Sequence, residues 1–274
     1  MNILKFIESF KNEKFNQTHG SRRDSFGQFK KMGSDLAMAS VPFGIASLAL
    51  GSQKTSAATF STVADTPISA LQLALTLEYL EDEFYELALS SGVIPLSENG
   101  GRDRKVFEQI SQHENSHVAF LIAGLGGPSG ANFVPKPTFD FTVNGAFNPF
   151  GDYPTFLALA QAFEDTGVRA YKGQATNLIS TPDLLTAALQ IHSVEARHAS
   201  EVRRLRGLKG WITGNVRGAG MPVQSQAVYD GEQNTNQAGY NTSALFGADA
   251  GTESYDEPLT GAQATAIASL FIVA

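Results

Sequence analysis

The sequence predicts an all-α protein built on an antiparallel four-helix bundle, with a long crossover between helices two and three. Three observations predict it. Four stretches between Thr66 and Arg206 carry apolar residues at helical spacing. Their connections run short, long, short: about ten residues, some 28, then only a few. The second pair of helices also repeats the pattern of the first, including a glutamate at the centre of an apolar stripe.

Composition narrows the class. The chain has 274 residues, enough to bury a sizeable core, and 42 % of them are hydrophobic, too many for a wholly disordered chain. Lys and Arg number 20 against 27 Asp and Glu, a net charge of -7. Phosphate contacts need a basic surface, so a nucleic-acid partner is not expected. The absence of cysteine excludes disulfides, thiolate metal sites, iron–sulfur clusters and cysteine nucleophiles.

Residues 1–58 read as an export signal and linker. A basic, polar segment through Lys31 precedes 18 uncharged residues from Leu36 to Gln53, followed by the small residues Ser56-Ala57-Ala58. Arg22-Arg23, within Ser21-Arg-Arg-Asp-Ser-Phe26, resembles a twin-arginine signal with the usual apolar position displaced by one residue. A transmembrane anchor, an ordinary core helix and an uncleaved tether are the competing readings. Pro42, Gly44, Ser40 and Ser47 make the segment a poor bilayer span. Cleavage near Ala57 or Ala58 is expected, leaving a mature chain with no stable membrane span. The protein is then exported, to the periplasm or outside the cell, with the twin-arginine machinery as a partner.

The bundle is expected over residues 65–208. Helix one opens with Thr66 as N-cap and Pro67 at the first helical position, and Gly92 ends it. Helix two spans about Arg102 to Ala123, before Gly124. Helix three starts after Asp152 with Pro154 in its first turn and runs to about Leu178. Helix four opens at Thr181-Pro182-Asp183 and ends near Arg206. In the crossover, the alternation Phe139-Asp-Phe-Thr-Val143 suggests an extended segment along the bundle. Residues 209–274 turn rich in Gly, Asn, Gln and Ser. They read as an irregular extension packed on the bundle through its spaced aromatics Trp211, Tyr229, Tyr240, Phe246 and Tyr255, with a last short helix near Thr260–Ile272; a disordered tail is the alternative.

The chemistry lies in the stripes. Glu78 centres the stripe Leu71, Leu75, Tyr85, Leu89; Glu164 centres Leu157, Ala160, Val168, Tyr171, Ala175. Helix two carries Glu114-Asn-Ser-His117 and helix four Glu195-Ala-Arg-His198, each flanked by apolar positions. Residues at i and i+3 stack on one face, so each pair can converge on one ion. A carboxylate facing a core must pair, bind a metal or take up a proton, because an isolated buried charge costs several kcal/mol. Four carboxylates with only two inward histidines call for two divalent cations. Glu78, Glu114, His117, Glu164, Glu195 and His198 form the ligand set of a di-iron or di-manganese carboxylate site. Taken singly, Glu78 and Glu164 have salt bridges to Arg169 or Arg197 as an alternative, and His117 and His198 are also readable as core histidines. Tyr85 and Tyr171 lie two turns from Glu78 and Glu164, as neighbours of the ligands or electron relays; core packing with a bonded hydroxyl is the plainer reading. Glu81, Glu83, Glu86 and Asp165 fall off centre and read as a solvated face or hydrogen-bonding neighbours. His113 reads as surface. His192 reads as a bystander, with an extra ligand as the alternative.

On these residues the chain resembles the ferritin-like superfamily. Leu77-Glu-Tyr-Leu-Glu-Asp-Glu-Phe-Tyr85 and Ser193-Val-Glu-Ala-Arg-His198 are most similar to bacterial ferritin-like domain proteins related to plant desiccation-related proteins. The resemblance implies a redox centre of two iron or manganese ions handling peroxide, dioxygen or ferrous iron, as in di-manganese catalases. It equally admits a non-enzymatic protein protecting against desiccation or oxidative stress, its metal structural or absent. A homo-oligomer is among the assemblies it admits. An iron-storage shell ranks lower, because the crossover and tail would obstruct cage packing.

Overall fold

A computed structural model of the protein describes residues 66–97 and 101–273. The export signal expected over 1–58 lies outside the described residues. Four long helices form the bundle: α1 Pro67–Ser91, α2 Arg102–Gly124, α3 Tyr153–Gln174, prolonged by a 3-10 turn Ala175–Leu178, and α4 Pro182–Leu205. Two short helices, α5 Ser243–Glu253 and α6 Gly261–Ala268, follow in the extension. No helix among the described residues is long and apolar enough to cross a membrane.

Local chemistry sets the ends. Thr66 accepts from the Ser69 backbone N–H at 3.2 Å while Ser69 Oγ accepts from Thr66 N–H at 3.1 Å, a reciprocal capping box. Gly92 ends α1 with φ 81°, a left-handed conformation that glycine adopts without strain. Helix α2 runs through Gly124, the expected stop. The left-handed residues are Gly126 and Gly127, whose N–H groups bond Ala123 O at 3.1 Å and Ile122 O at 2.9 Å. Asp152 caps α3 through Thr155 N–H at 2.9 Å.

Helices α1 and α2 form one hairpin, α3 and α4 the other, and α1 meets α3 across the middle. Phe84, Phe107, Phe156 and Phe163 fill one end of the core. Centroid separations of 4.7 Å for Phe107–Phe156 and 4.9 Å for Phe84–Phe163, with steeply inclined planes, are edge-to-face contacts.

The crossover lies along α1. Gln72 Nε2 donates to Asn132 O at 3.0 Å, and Lys136 pairs with Glu83 at 2.7 Å. The expected extended stretch is used, with a partner from far along the chain. Phe139 bridges Ile272 antiparallel, and Asp140 N–H donates to Phe271 O at 2.8 Å. Phe139 and Phe141 point inward, as the alternation requires.

The extension packs on the bundle by other means than its spaced aromatics. Only Tyr229 of the five is buried; Trp211, Tyr240, Phe246 and Tyr255 are exposed. Arg169, 1 % exposed on α3, anchors the segment instead. It donates to the carbonyls of Val228, Asp230 and Glu257 and pairs with Glu232 at 2.7 Å. Gly173 admits the chain to the α3 backbone, since a Cβ there would lie 1.7 Å from Leu259 O. The short helix expected near Thr260–Ile272 is present as α6 and a following 3-10 turn, capped by Thr260.

Candidate metal centre

The six residues singled out by the stripes converge between the two hairpins. Glu78, Glu114, Glu164 and Glu195 are 0 % exposed and His198 is 4 % exposed, while the His117 side chain is 12 % exposed. His117 Nδ1 lies 3.2 Å from Glu78 Oε2, 3.0 Å from Glu114 Oε2 and 3.2 Å from Glu195 Oε1. His198 Nδ1 lies 2.8 Å from Glu114 Oε1, 3.3 Å from Glu164 Oε2 and 3.7 Å from Glu195 Oε2. Two overlapping quartets result: Glu78, Glu114, His117, Glu195, and Glu114, Glu164, Glu195, His198. In each, one ligand atom per residue falls within 4.8 Å of all the others. Glu114 and Glu195 belong to both, one oxygen toward each histidine.

The donor atoms are left over by the protein's own hydrogen bonding. Beyond the carboxylate–imidazole contacts just given, Glu114 Oε1, Glu164 Oε2, both oxygens of Glu195 and Nδ1 of His198 are buried without a hydrogen-bond partner of good geometry. Buried polar atoms are nearly always satisfied. Five such atoms turned to one centre, all oxygen or imidazole donors, are a donor set that could hold metal ions.

Protonation behaves as a crowded carboxylate site must. Burial drives Glu114 well above the usual carboxylate range, Glu195 adding to it, and lifts Glu164 to about 7. Burial works against charge on His117 and His198, but the facing carboxylates, Glu78 and Glu164 foremost, hold both imidazoles above their ordinary range. Burial also opposes ionisation of Glu195, yet the facing imidazoles of His117 and His198 outweigh it and bring this carboxyl below its usual value.

The tyrosines cross between the halves. Tyr85 on α1 donates to Glu164 Oε1 on α3, and Tyr171 on α3 donates to Glu78 Oε1 on α1. Each hydroxyl fixes the outer oxygen of the carboxylate opposite. Burial, then that carboxylate, raises both phenols well above 10, so both keep their protons. The plainer expectation, a packed ring with a bonded hydroxyl, describes them, and the bond goes to the expected ligand residues.

Four expectations are narrowed. Glu81, read as a solvated face or a hydrogen-bonding neighbour, is 2 % exposed, turned toward Gly167 and Glu195 on the side of α1 that α6 covers. Asp165 is also buried and takes the second of the two roles read for it, a hydrogen-bonding neighbour, held by Arg203 and by Tyr229 OH at 2.7 Å. His113, read as surface, is half-buried on the groove and outside both quartets, but it touches a ligand candidate: its Nδ1 lies 2.9 Å from Nε2 of His198, and its Nε2 lies 2.9 Å from Gln109. That chain orients His198 with Nδ1 toward the centre, a common arrangement behind a ligating histidine. Arg169 is committed to the extension, and Arg197 lines a groove, so neither neutralises Glu78 or Glu164. His192 bonds Val168 O at 3.0 Å and stays outside the centre, as the plainer reading had it.

A groove of about 540 Å³ opens between α2 and α4, lined by Arg102, Lys105, Gln109, His113, Arg197 and Glu201, with His198 on its wall. It gives a small molecule an approach to one quartet, through a locally basic mouth on an acidic chain.

A family model described as Ferritin-like domain matches residues 66–208, more than half of the chain. The chain belongs to the ferritin-like domain family. No curated protein matches it. The ferritin-like match covers the four bundle helices and stops before the extension, so all six converging side chains and both tyrosines fall within it.

Proposed function

We propose that this ferritin-like protein is an exported redox protein whose bundle holds two iron or manganese ions and acts on peroxide, dioxygen or ferrous iron. The observation that carries the reading is the pair of overlapping quartets with five orphaned donor atoms. Glu78, Glu114, His117 and Glu195 would hold one ion, and Glu114, Glu164, Glu195 and His198 the other. Two such ions would supply electrons singly or in pairs to a small oxygen species, with Glu114 and Glu195 available to both.

The remaining work falls to the chain. Tyr85 and Tyr171 lock the outer carboxylates through hydroxyls that stay protonated. Burial, then the nearby His198 and His117, lowers the His113 pKa; the Gln109 amide donates to His113 Nε2, so neutral His113 carries its proton on Nδ1 and donates it to His198 Nε2, holding that ring with Nδ1 toward the centre. The apolar shell of Phe84, Phe107 and Phe156 keeps bulk water from one end of the centre, and the groove between α2 and α4 provides access at the side. Export through a twin-arginine pathway, which carries folded proteins, would let the ions be loaded before transport.

The test is to reconstitute the protein with iron or manganese and measure peroxide consumption and ferrous-iron oxidation. Turnover that disappears in Glu114→Ala supports the reading. Complete inertness of protein holding two ions refutes the redox role and leaves the metal a structural one.

A further inference from the structure

The internal repeat sets a register between the two halves of the bundle. Glu78 and Tyr85 on α1 answer to Glu164 and Tyr171 on α3, and the Glu-x-x-His of α2 answers to that of α4. In that register the aromatic plug at one end has no counterpart at the other: Phe84, Phe107 and Phe156 correspond to Ala170, Ala188 and Ala70. Three phenyl rings are therefore missing from the end of the bundle beside Tyr171, and the helices do not close the gap. A cavity of about 20 Å³ remains there, bounded by all four helices, with Ala70, Ala74, Ala170, Leu184 and Ala188 on its wall.

Chemistry and size say what fits. Apart from Tyr171 and Gln174, the wall is made of hydrocarbon side chains. The Tyr171 hydroxyl is spent on Glu78, and the Gln174 side-chain carbonyl accepts from the Asn177 amide at 2.9 Å. A buried water needs about two to four polar partners, and a cavity that lacks them stays free of water and takes up apolar guests such as xenon. The space holds a guest about the size of one or two waters, so a diatomic gas fits and an aromatic ring does not. Position says what the guest would meet. Ala74 lies one turn before Glu78, Phe120 one turn after His117 and Ile191 one turn before Glu195, and all three line the cavity. One turn is about 5.4 Å. The cavity thus abuts the quartet that contains His117, whereas the basic groove opens on His198.

We infer that this alanine-lined cavity is a dioxygen site, holding the apolar oxidant beside the His117 quartet and apart from the polar groove that admits peroxide on the His198 side. The inference rests on the two-metal reading and names dioxygen as the oxidant. Two bound ferrous ions each give up one electron; one dioxygen takes both, picks up two protons from solvent and leaves as hydrogen peroxide.

The experiment pressurises crystals of metal-free wild type, Ala188→Leu and Leu184→Ala with xenon, and follows oxidation of each iron-loaded protein by stopped-flow absorbance, once with dioxygen and once with peroxide. Wild type is expected to hold xenon among Ala70, Ala74, Ala170 and Ala188. Ala188→Leu, which refills part of the space of a missing ring, excludes xenon and raises the half-saturating dioxygen concentration about tenfold, a loss of binding that peroxide does not share. Leu184→Ala adds space instead of bulk, so it tests the cavity even where the larger side chain impairs folding: it takes up more xenon and lowers that concentration. An ordered water in place of xenon in wild type, or equal slowing with dioxygen and peroxide in Ala188→Leu, overturns the assignment. Iron-loaded protein that reacts with dioxygen while its crystals take up no xenon overturns the cavity's role alone. Protein that holds xenon but binds neither iron nor manganese overturns the two-metal reading, and the dioxygen role falls with it.

Discussion

Replacing Glu114 by Gln separates a metal ligand from a structural carboxylate. The substitution keeps volume and removes one charge from a residue in both quartets. In the metal-free protein burial, then Glu195, holds the Glu114 pKa well above its ordinary value. Its ionised form therefore destabilises the fold once pH exceeds the unfolded value, so a neutral glutamine leaves the metal-free bundle at least as stable at pH 7. The metal-loaded protein behaves oppositely. An ion that binds only the native state, present at a thousandfold over its Kd, stabilises by about 4.1 kcal/mol. At roughly 2–4 °C per kcal/mol for a domain of this size, wild type gains about 8–16 °C in Tm on loading. Glu114→Gln is expected to lose most of that gain. Differential scanning calorimetry with and without manganese reads both quantities. A variant that keeps the full metal-induced gain, or whose metal-free form falls by several degrees, refutes the reasoning.

Three further outcomes follow from the same geometry. Metal affinity rises with pH: both imidazoles and the raised carboxyls, Glu164 at about 7 among them, carry protons that an ion must displace, so Kd falls from pH 6 to pH 8. Calorimetric titration in two buffers of different ionisation enthalpy should show proton release; a pH-independent Kd contradicts it. Arg169→Met leaves Glu232 buried without its cation and frees three carbonyls, at a cost of about 3–5 kcal/mol. Limited proteolysis should then cut first within residues 209–274, and an unchanged digestion pattern would argue against Arg169 as the anchor. Gly173→Ala drives a Cβ into the Leu259 carbonyl and should cost about 1–3 kcal/mol by denaturant unfolding, the usual size of an overpacking defect; a neutral result would mean the segment is free to move away.

The bundle was legible because its signals are local. Thr66-Pro67, Asp152 with Pro154, and Gly92 act within one turn of themselves, and helical periodicity alone places Glu78, Glu114, Glu164 and Glu195 at the centres of their stripes. The same periodicity left Glu81 and Asp165 open between a solvated face and a hydrogen-bonding role, and both are buried. A helical wheel assumes one buried face, whereas α1 and α3 are covered on nearly all sides. What covers them is distant in sequence: the crossover on α1 through Lys136 and Asn132, and α6 on both helices, its following residue Ile272 pairing with Phe139. His113 was set aside because it points 100° from Glu114. That angle turns it toward α4, where His198 waits, and only the packing of α2 against α4 reveals it. The spaced aromatics of the extension were misleading for a related reason: Arg169 and Gly173, both on α3, decide where that segment lies, and neither advertises a distant partner. Their positions five residues and one residue before the end of α3, away from the stripe of Glu164, are the nearest thing to a signal.

The most direct test of the central claim is anomalous X-ray scattering from crystals of the protein loaded with manganese, collected above and below the metal edge. Two peaks between Glu114 and Glu195, one beside His117 and one beside His198, are the expected result. A centre in which water and protons alone join those carboxylates, with no anomalous peak between them, would contradict it.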